Sequence, residues 1–303
     1  MKTRGKSELL LLLAAFIWGN GFVAQSCAMD SIGPWSFTWM RSLLAFLVLI
    51  PVAHIHAKRT GKAKLNETER KYLLLGGVTT GVILGCGSIL QQIGVMYTTV
   101  GKASFLTALY CVEVPLFSIF FGKRVGGRTW VSVVLAVSGL YLLCMQGSLK
   151  PAGGDVYVLL CSIVFAFHIL AIDYFAPRTD AVRMSCLQFL VCSLTTFVGS
   201  LFTEPFSIGA AMDAIVPLLY AGCVSMGFGY TLQITGQEHA DPTLASILLC
   251  LESVFGALAG FVLLHQAMSL RQVMGCVLMF AATVLSSLPE KSDVKKTASM
   301  QEE

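Results

Sequence analysis

Apolar runs of about 20 residues recur along this chain, and a helix of that length crosses the hydrocarbon core of a bilayer. Composition agrees, with 55% hydrophobic residues, 13% charged residues and a mean hydropathy of +0.75. A soluble chain carries about 25% charged residues. The sequence therefore predicts an all-α integral membrane protein whose core is helix packed on helix. The runs predict ten spans, at 8–28, 35–56, 71–96, 100–121, 128–147, 155–175, 183–203, 213–235, 242–264 and 270–288. Asp241-Pro242 reads as an N-cap followed by proline in the first turn, and Ser269 with Gln272 as a capping box. The start, MKTRGK before ELLLLLAAFIWG, imitates a signal peptide, but nine further spans make it a first, uncleaved anchor. The polar tail after Pro289 reads as disordered.

Charge gives the orientation. With the N-terminus in the cytoplasm, 17 of the 21 Lys and Arg residues fall inside and three (Lys102, Lys150 and Arg271) outside, while Arg41 lies within a span. That split is a strong positive-inside signal and predicts both termini in the cytoplasm of a multi-pass cell-membrane protein. The sequon Asn66-Glu67-Thr68 then lies inside, where it goes unused. The ten cysteines are scattered, without CxxC or a ligand spacing with His, so they read as packing residues with no disulfide framework and no metal site.

The chain repeats itself. At a shift of 142 residues GCGSILQQIG (85–94) lies over GFGYTLQITG (227–236), Ala103-Ser104 over Ala245-Ser246, and Leu106 over Leu248. This predicts two five-helix halves, 1–150 and 151–290, followed by the tail 291–303. Five is odd, so the second half enters the membrane inverted. Inverted repeats point to a secondary transporter with its site near the midplane, where the halves meet. Gly77, Gly81 and Gly85 stand four apart, a doubled GxxxG pattern that lets a neighbouring backbone approach closely.

Several stretches, in this order, carry a family resemblance. They are IWGNGFVAQ (17–25), Gly33-Pro34 with Phe37 and Arg41, QQIGVMYTTVGKASFLTALY (91–110), FAFHILAID (165–173), Gln188-Phe189 and DPTLASILLCLESVFGALAG (241–260). Here the chain resembles the drug/metabolite transporter superfamily, specifically the EamA-like ten-span transporters. The resemblance implies a ten-helix bundle with a central cavity for small polar metabolites or amino acids. The chain departs from the pattern at Glu113, usually apolar in the family, and at His265-Gln266, where the family tends to place a glutamate.

The buried polar residues are the candidate substrate-binding set: Arg41, Gln91, Gln92, Tyr110, Glu113, His168, Gln188, Tyr230, Gln233 and Glu252. Glu252 lies roughly 15 Å into its span at 1.5 Å per residue, near the midplane. It reads either as a carboxylate that binds a cationic group or exchanges a proton, or as a protonated packing residue. Arg41 either pairs with a carboxylate, Glu113 first, or holds an anionic substrate group, or snorkels to the interface. The glutamines read equally as interhelical hydrogen bonds and as ligand contacts. His168 and Gln188 match family positions, and a structural hydrogen bond stands ahead of a proton relay. Trp18 and Asn20 are further cavity candidates. Pro115 predicts a kink that frees a carbonyl near residue 111. At the 142 shift Glu252 meets Tyr110 and Glu113 meets Phe255, so the two carboxylates are near counterparts, one turn apart.

Three function classes follow. A secondary transporter, driven by a proton or substrate gradient and with proton-coupled export as one form, leads. An intramembrane enzyme needs a clustered nucleophile and base or ligand-spaced histidines, and no HExxH or GxSxG occurs. A channel needs rings of like residues or a filter. No GxxxxGK[ST] loop occurs, so the expectation is no nucleotide and no cofactor. The expected partners are a small-molecule substrate and the lipid bilayer, with no nucleic acid, in a monomer or a homodimer.

Overall fold

The computed structural model describes residues 2–60, 64–123, 125–145, 152–205, 207–264 and 267–288. The expected boundary between halves at 150, the pair His265-Gln266 and the tail lie outside the described residues. Within them the chain is a helical bundle without strands. Its elements are α1 (Lys2–Gly19), α2 (Gly21–Met29), α3 (Pro34–Arg59), α4 (Glu67–Tyr97), α5 (Val100–Thr107), α6 (Tyr110–Phe120), α7 (Gly127–Cys144) and α8 (Asp155–Phe175). They continue with α9 (Ala181–Thr203), α10 (Ile208–Asp213), α11 (Ile215–Leu219), a π-helical segment (Tyr220–Tyr230), α12 (Thr231–Gln237), α13 (Pro242–Leu249), α14 (Glu252–Leu264) and α15 (Leu270–Ser287).

Nine stretches among the described residues are long and apolar enough to cross a membrane, starting with Pro34–Arg59 and ending with Leu270–Ser287. The expected first span, 8–28, falls on α1 and α2. α1 carries Lys2, Arg4, Lys6 and Glu8, and the helix breaks at Asn20, so neither piece alone has the length and apolarity of a span. The lipid-facing surface is apolar, as Leu47, Ile50 and Ile55 on α3 and Val131 and Val134 on α7 illustrate. Polar side chains turn inward instead, because the bilayer core has no water to satisfy them.

Helix ends are set locally. Asp241 caps α13, with Pro242 in its first turn, and Ser269 with Gln272 forms the capping box of α15. Asn66, the sequon asparagine, is occupied in another capping box, accepting from Glu69 N at 2.8 Å while Glu69 Oε2 accepts from Asn66 N at 2.9 Å. Glu204, just beyond α9, accepts from Trp35 N (2.9 Å) and Ser36 N (2.8 Å) and caps the first turn of α3.

The glycine stripe of α4 fits α9. A Cβ on Gly77 would lie 2.6 Å from Leu187, and one on Gly81 2.6 Å from the Gln188 carbonyl oxygen. α7 and α15 meet the same way, since a Cβ on Gly139 or Gly275 would strike the other's carbonyl oxygen at 2.8 or 2.7 Å. All ten cysteines are free.

Two of these stretches, Val100–Phe120 and Pro242–Ala259, break midway along their length. α5 gives way to α6 at Ala108-Leu109, and α13 to α14 at Cys250-Leu251. The broken helices touch at these points: the Cys250 thiol donates to the Ala108 carbonyl at 3.3 Å, and Ser104 Oγ lies 2.6 Å from Ser253 Oγ. Pro115 sits inside α6 and does not end it. The interruption lies about two turns earlier, at residues with no intrinsic signal for it.

Candidate functional site

The breaks place two side chains side by side. Tyr110 is the first residue of α6 and Glu252 the first of α14, and both face a cavity of about 60 Å³ between the helices. At about 15 Å³ each, that is room for on the order of four waters. The Tyr110 hydroxyl neighbours the Glu252 carboxyl but has no partner with hydrogen-bond geometry among the described residues.

Aromatic groups make one wall. Trp18 lies against Tyr230 with ring centroids 4.5 Å apart, and Phe22 and Phe165 also line the cavity. Tyr230 ends the π segment, which supplies Ser225 and Met226 as well. A π turn widens the helix and misaligns its carbonyls. The Ser225 carbonyl accepts from Trp18 Nε1 at 3.1 Å, and Tyr220 donates to the Ile17 carbonyl at 2.7 Å, so the segment also anchors the end of α1.

The charged and amide groups are sparsely partnered. Arg41 is 4% exposed; its guanidinium carbon lies 5.0 Å from the Phe37 ring centroid, and Nε has no hydrogen-bond partner among the described residues. Among those residues no carboxylate forms an ion pair with it. Gln91 donates to Thr107 Oγ1 at 3.4 Å, and Gln233 to Gln237 Oε1 at 2.9 Å. Gln25 Oε1 and Gln233 Oε1 have no partner among the described residues. His168 Nε2 and Gln188 Oε1 are 2.9 Å apart, and the imidazole stands edge-on to Tyr230 at 5.9 Å.

Seven sequence candidates thus line one cavity: Arg41, Gln91, Tyr110, His168, Tyr230, Gln233 and Glu252. Three do not. Gln92 follows Gln91 by about 100° around α4 and is buried in packing instead. Gln188 stands behind His168. Glu113 is turned about 60° from Tyr110, toward α8, where it accepts from Ser162 Oγ at 2.9 Å. The expected Arg41–Glu113 pair is therefore not formed. Trp18 lines the cavity, and Asn20 instead donates back to the Phe16 carbonyl at the break. Sequence reasoning missed Gln25, although it ends the IWGNGFVAQ stretch, and it missed Thr107 and Ser225, which are small polar residues like many others in the spans.

Membrane-crossing helices around one small polar cavity, walled by helix breaks and a π turn, define a polytopic membrane protein that handles a small solute. The chain belongs to the EamA-like transporter family, whose model matches residues 5–145 and again 152–288. It is 26% identical over 284 residues to an uncharacterized transporter of Archaeoglobus fulgidus, covering 93% of this chain and 86% of that one. It is 24% identical over 310 residues to the uncharacterized transporter YvbV of Bacillus subtilis, covering 99% and 97%. A solved crystal structure shares the fold with a TM-score of 0.76 at 16% identity, covering 93% of this chain and 96% of that one. Family and relatives identify a membrane transporter, embedded in a lipid bilayer and acting on a small molecule.

Proposed function

We propose that the protein is a secondary transporter that carries a small, polar, amino-acid-like metabolite across the cell membrane by alternating access. The observation that carries this reading is a cation and a carboxyl, Arg41 and Glu252, facing one cavity without pairing to each other. A permanent buried cation without a counter-ion is costly, and a solute carboxylate relieves that cost. Glu252 suits the ammonium of the same solute, and the Trp18–Tyr230 wall offers it aromatic faces.

Internal symmetry supports the two-half reading. The matched segments begin 147 residues apart and end 143 apart. At shifts of 147 and 142, cavity residues fall into pairs: Trp18 with Phe165, Phe22 with Ile169, Gln91 with Gln233, Thr107 with Leu249, and Tyr110 with Glu252. The two helix breaks correspond as well, and the Cys250–Ala108 contact joins residues 142 apart. Halves 1–150 and 151–290 of five crossings each require α1 and α2 together as the tenth crossing. Buried Leu11, Ala14 and Ala15 alternating with exposed Leu9, Leu13 and Phe16 favour that placement. The odd count inverts the second half, and the basic loops put both termini inside. The cavity is built within one chain, which makes the monomer the transport unit, alone or in a homodimer. Proton-coupled export, with Glu252 as the proton carrier, is the form this reading favours.

The test is solute counterflow in proteoliposomes with the protein amino acids, with propionate and propylamine as single-charge competitors. Saturable, trans-stimulated exchange of an amino acid supports the proposal. Conductance without saturation contradicts it.

A further inference from the structure

A relay behind the cavity wall determines what Gln233 can offer a solute. Gln233 Nε2 donates to Gln237 Oε1 at 2.9 Å, one turn along α12. Gln237 Nε2 donates in turn to the backbone carbonyl of Ile169 on α8 at 3.2 Å. That last acceptor is the key, because a carbonyl oxygen cannot donate. Gln237 must therefore point its NH2 at Ile169 and its oxygen at Gln233. Gln233 must answer with its NH2 and turn its own oxygen away. Reversing either amide sets like atoms against each other, so the orientation of both follows from the network. Gln233 and Gln237 are only 2% and 1% exposed, so water does not readily substitute for either bond. Gln233 Oε1 is left without a partner among the described residues, on a side chain that lines the cavity.

Among the described residues the other half has no such device. Gln91, the counterpart of Gln233, donates to the Thr107 hydroxyl, which can itself give or take a proton and so imposes no orientation. The counterpart of Gln237, 142 residues earlier, is Val95.

We infer that Gln233 is a fixed hydrogen-bond acceptor for a donor group of the transported solute, and that Gln237, outside the cavity, is the positioning residue that keeps it so. This rests on the amino-acid reading above, in which the donor is the ammonium group. A buried acceptor left empty loses the free energy of its bond, so the cavity selects solutes that bring an N–H to this point. Selection at Gln233 is then for the donor end of the solute and is separate from selection for the carboxylate at Arg41.

Two measurements test it, both on the full chain. In the first, counterflow of the amino acid that the wild type exchanges fastest is competed with propylamine, which carries only the donor end, and with propionate, which carries only the carboxylate. Gln237→Leu frees the Gln233 amide to rotate. The half-inhibitory concentration of propylamine then rises about tenfold, while that of propionate stays put. Gln237→Glu, as the acid, repeats both bonds, with its O–H to Ile169 and its C=O from Gln233, and restores propylamine. Equal propylamine inhibition in all three proteins, or a parallel loss for both competitors in Gln237→Leu, overturns the assignment. The second measurement needs no solute: solid-state NMR of the glutamine- and isoleucine-labelled protein in lipid. Through-space contacts from Gln233 Nε2 to Gln237 Cδ and from Gln237 Nε2 to the Ile169 carbonyl carbon are expected. A Gln237 nitrogen that contacts Gln233 instead of Ile169 overturns the relay. A wild type that exchanges no amino acid counts against the solute reading alone, and the NMR result then decides the relay.

Discussion

Arg41→Met should stabilise the protein while disabling it. Arg41 is 4% exposed and has no carboxylate partner among the described residues. Burying an ionised group costs several kcal/mol even after relaxation. The Phe37 ring, 5.0 Å from the guanidinium carbon, returns only about 0.5–2 kcal/mol. The balance of about 2 kcal/mol opposes folding, and methionine removes it while filling much of the same space with a flexible apolar chain. SDS-titration unfolding should therefore show a gain of about 1–4 kcal/mol. The same change removes a charge-assisted contact to the solute carboxylate, about 1.5–3 kcal/mol, or roughly 10- to 150-fold in KM for counterflow. Arg41→Lys keeps the charge but not the planar fork, so transport should fall between the two. A loss of stability in Arg41→Met would mean instead that Arg41 is paired in the working protein. An unchanged KM would remove Arg41 from the solute site.

Other consequences follow from the same geometry. Glu252→Gln keeps the shape of the side chain and removes its charge; the folded protein should lose the pH dependence of wild-type transport, and a profile identical to wild type would take the proton off Glu252. Ser104→Cys with Ser253→Cys replaces hydroxyls 2.6 Å apart with a disulfide at the crossing of the broken helices. Because the crossing sits between corresponding points of the two halves, it should move least, and oxidised protein should keep transporting; reductant-reversible inhibition would show that the seam opens. Gly275→Val puts a side chain where even a Cβ lies 2.7 Å from the Gly139 carbonyl oxygen, and the reciprocal glycine leaves α7 no room to retreat. Unfolding should show a loss of about 1–3 kcal/mol, and wild-type stability would mean that α7 and α15 separate easily.

Much of this was legible in the sequence because the bilayer imposes simple demands. Length and apolarity located the helices, and capping chemistry marked the starts of α13 and α15, where the cap hydrogen bonds form. Depth within a span singled out Glu252 and Arg41. The helix breaks were not legible. Ala108-Leu109 and Cys250-Leu251 contain neither glycine nor proline, so their interruption comes from tertiary packing, while Pro115, the visible breaker, sits inside α6. Rotation about a helix axis was equally hidden. Glu113 and Tyr110 differ by about 60°, enough to send one toward Ser162 and the other into the cavity. Partner choice was hidden as well: Arg41 had a plausible carboxylate in sequence and pairs with none among the described residues. The π segment could not be foreseen, since hydropathy reads α and π turns alike.

The most direct test of the whole account is counterflow of amino acids by the purified protein in proteoliposomes, compared with analogues that lack either charge. Saturable, trans-stimulated exchange of a zwitterionic amino acid is expected, with the amide or ester of its carboxyl, or the N-acetyl form of its amine, exchanged far more slowly. Equal exchange of the zwitterion and both blocked forms would contradict it, because the unpaired Arg41 and Glu252 would then have no part in recognising the solute.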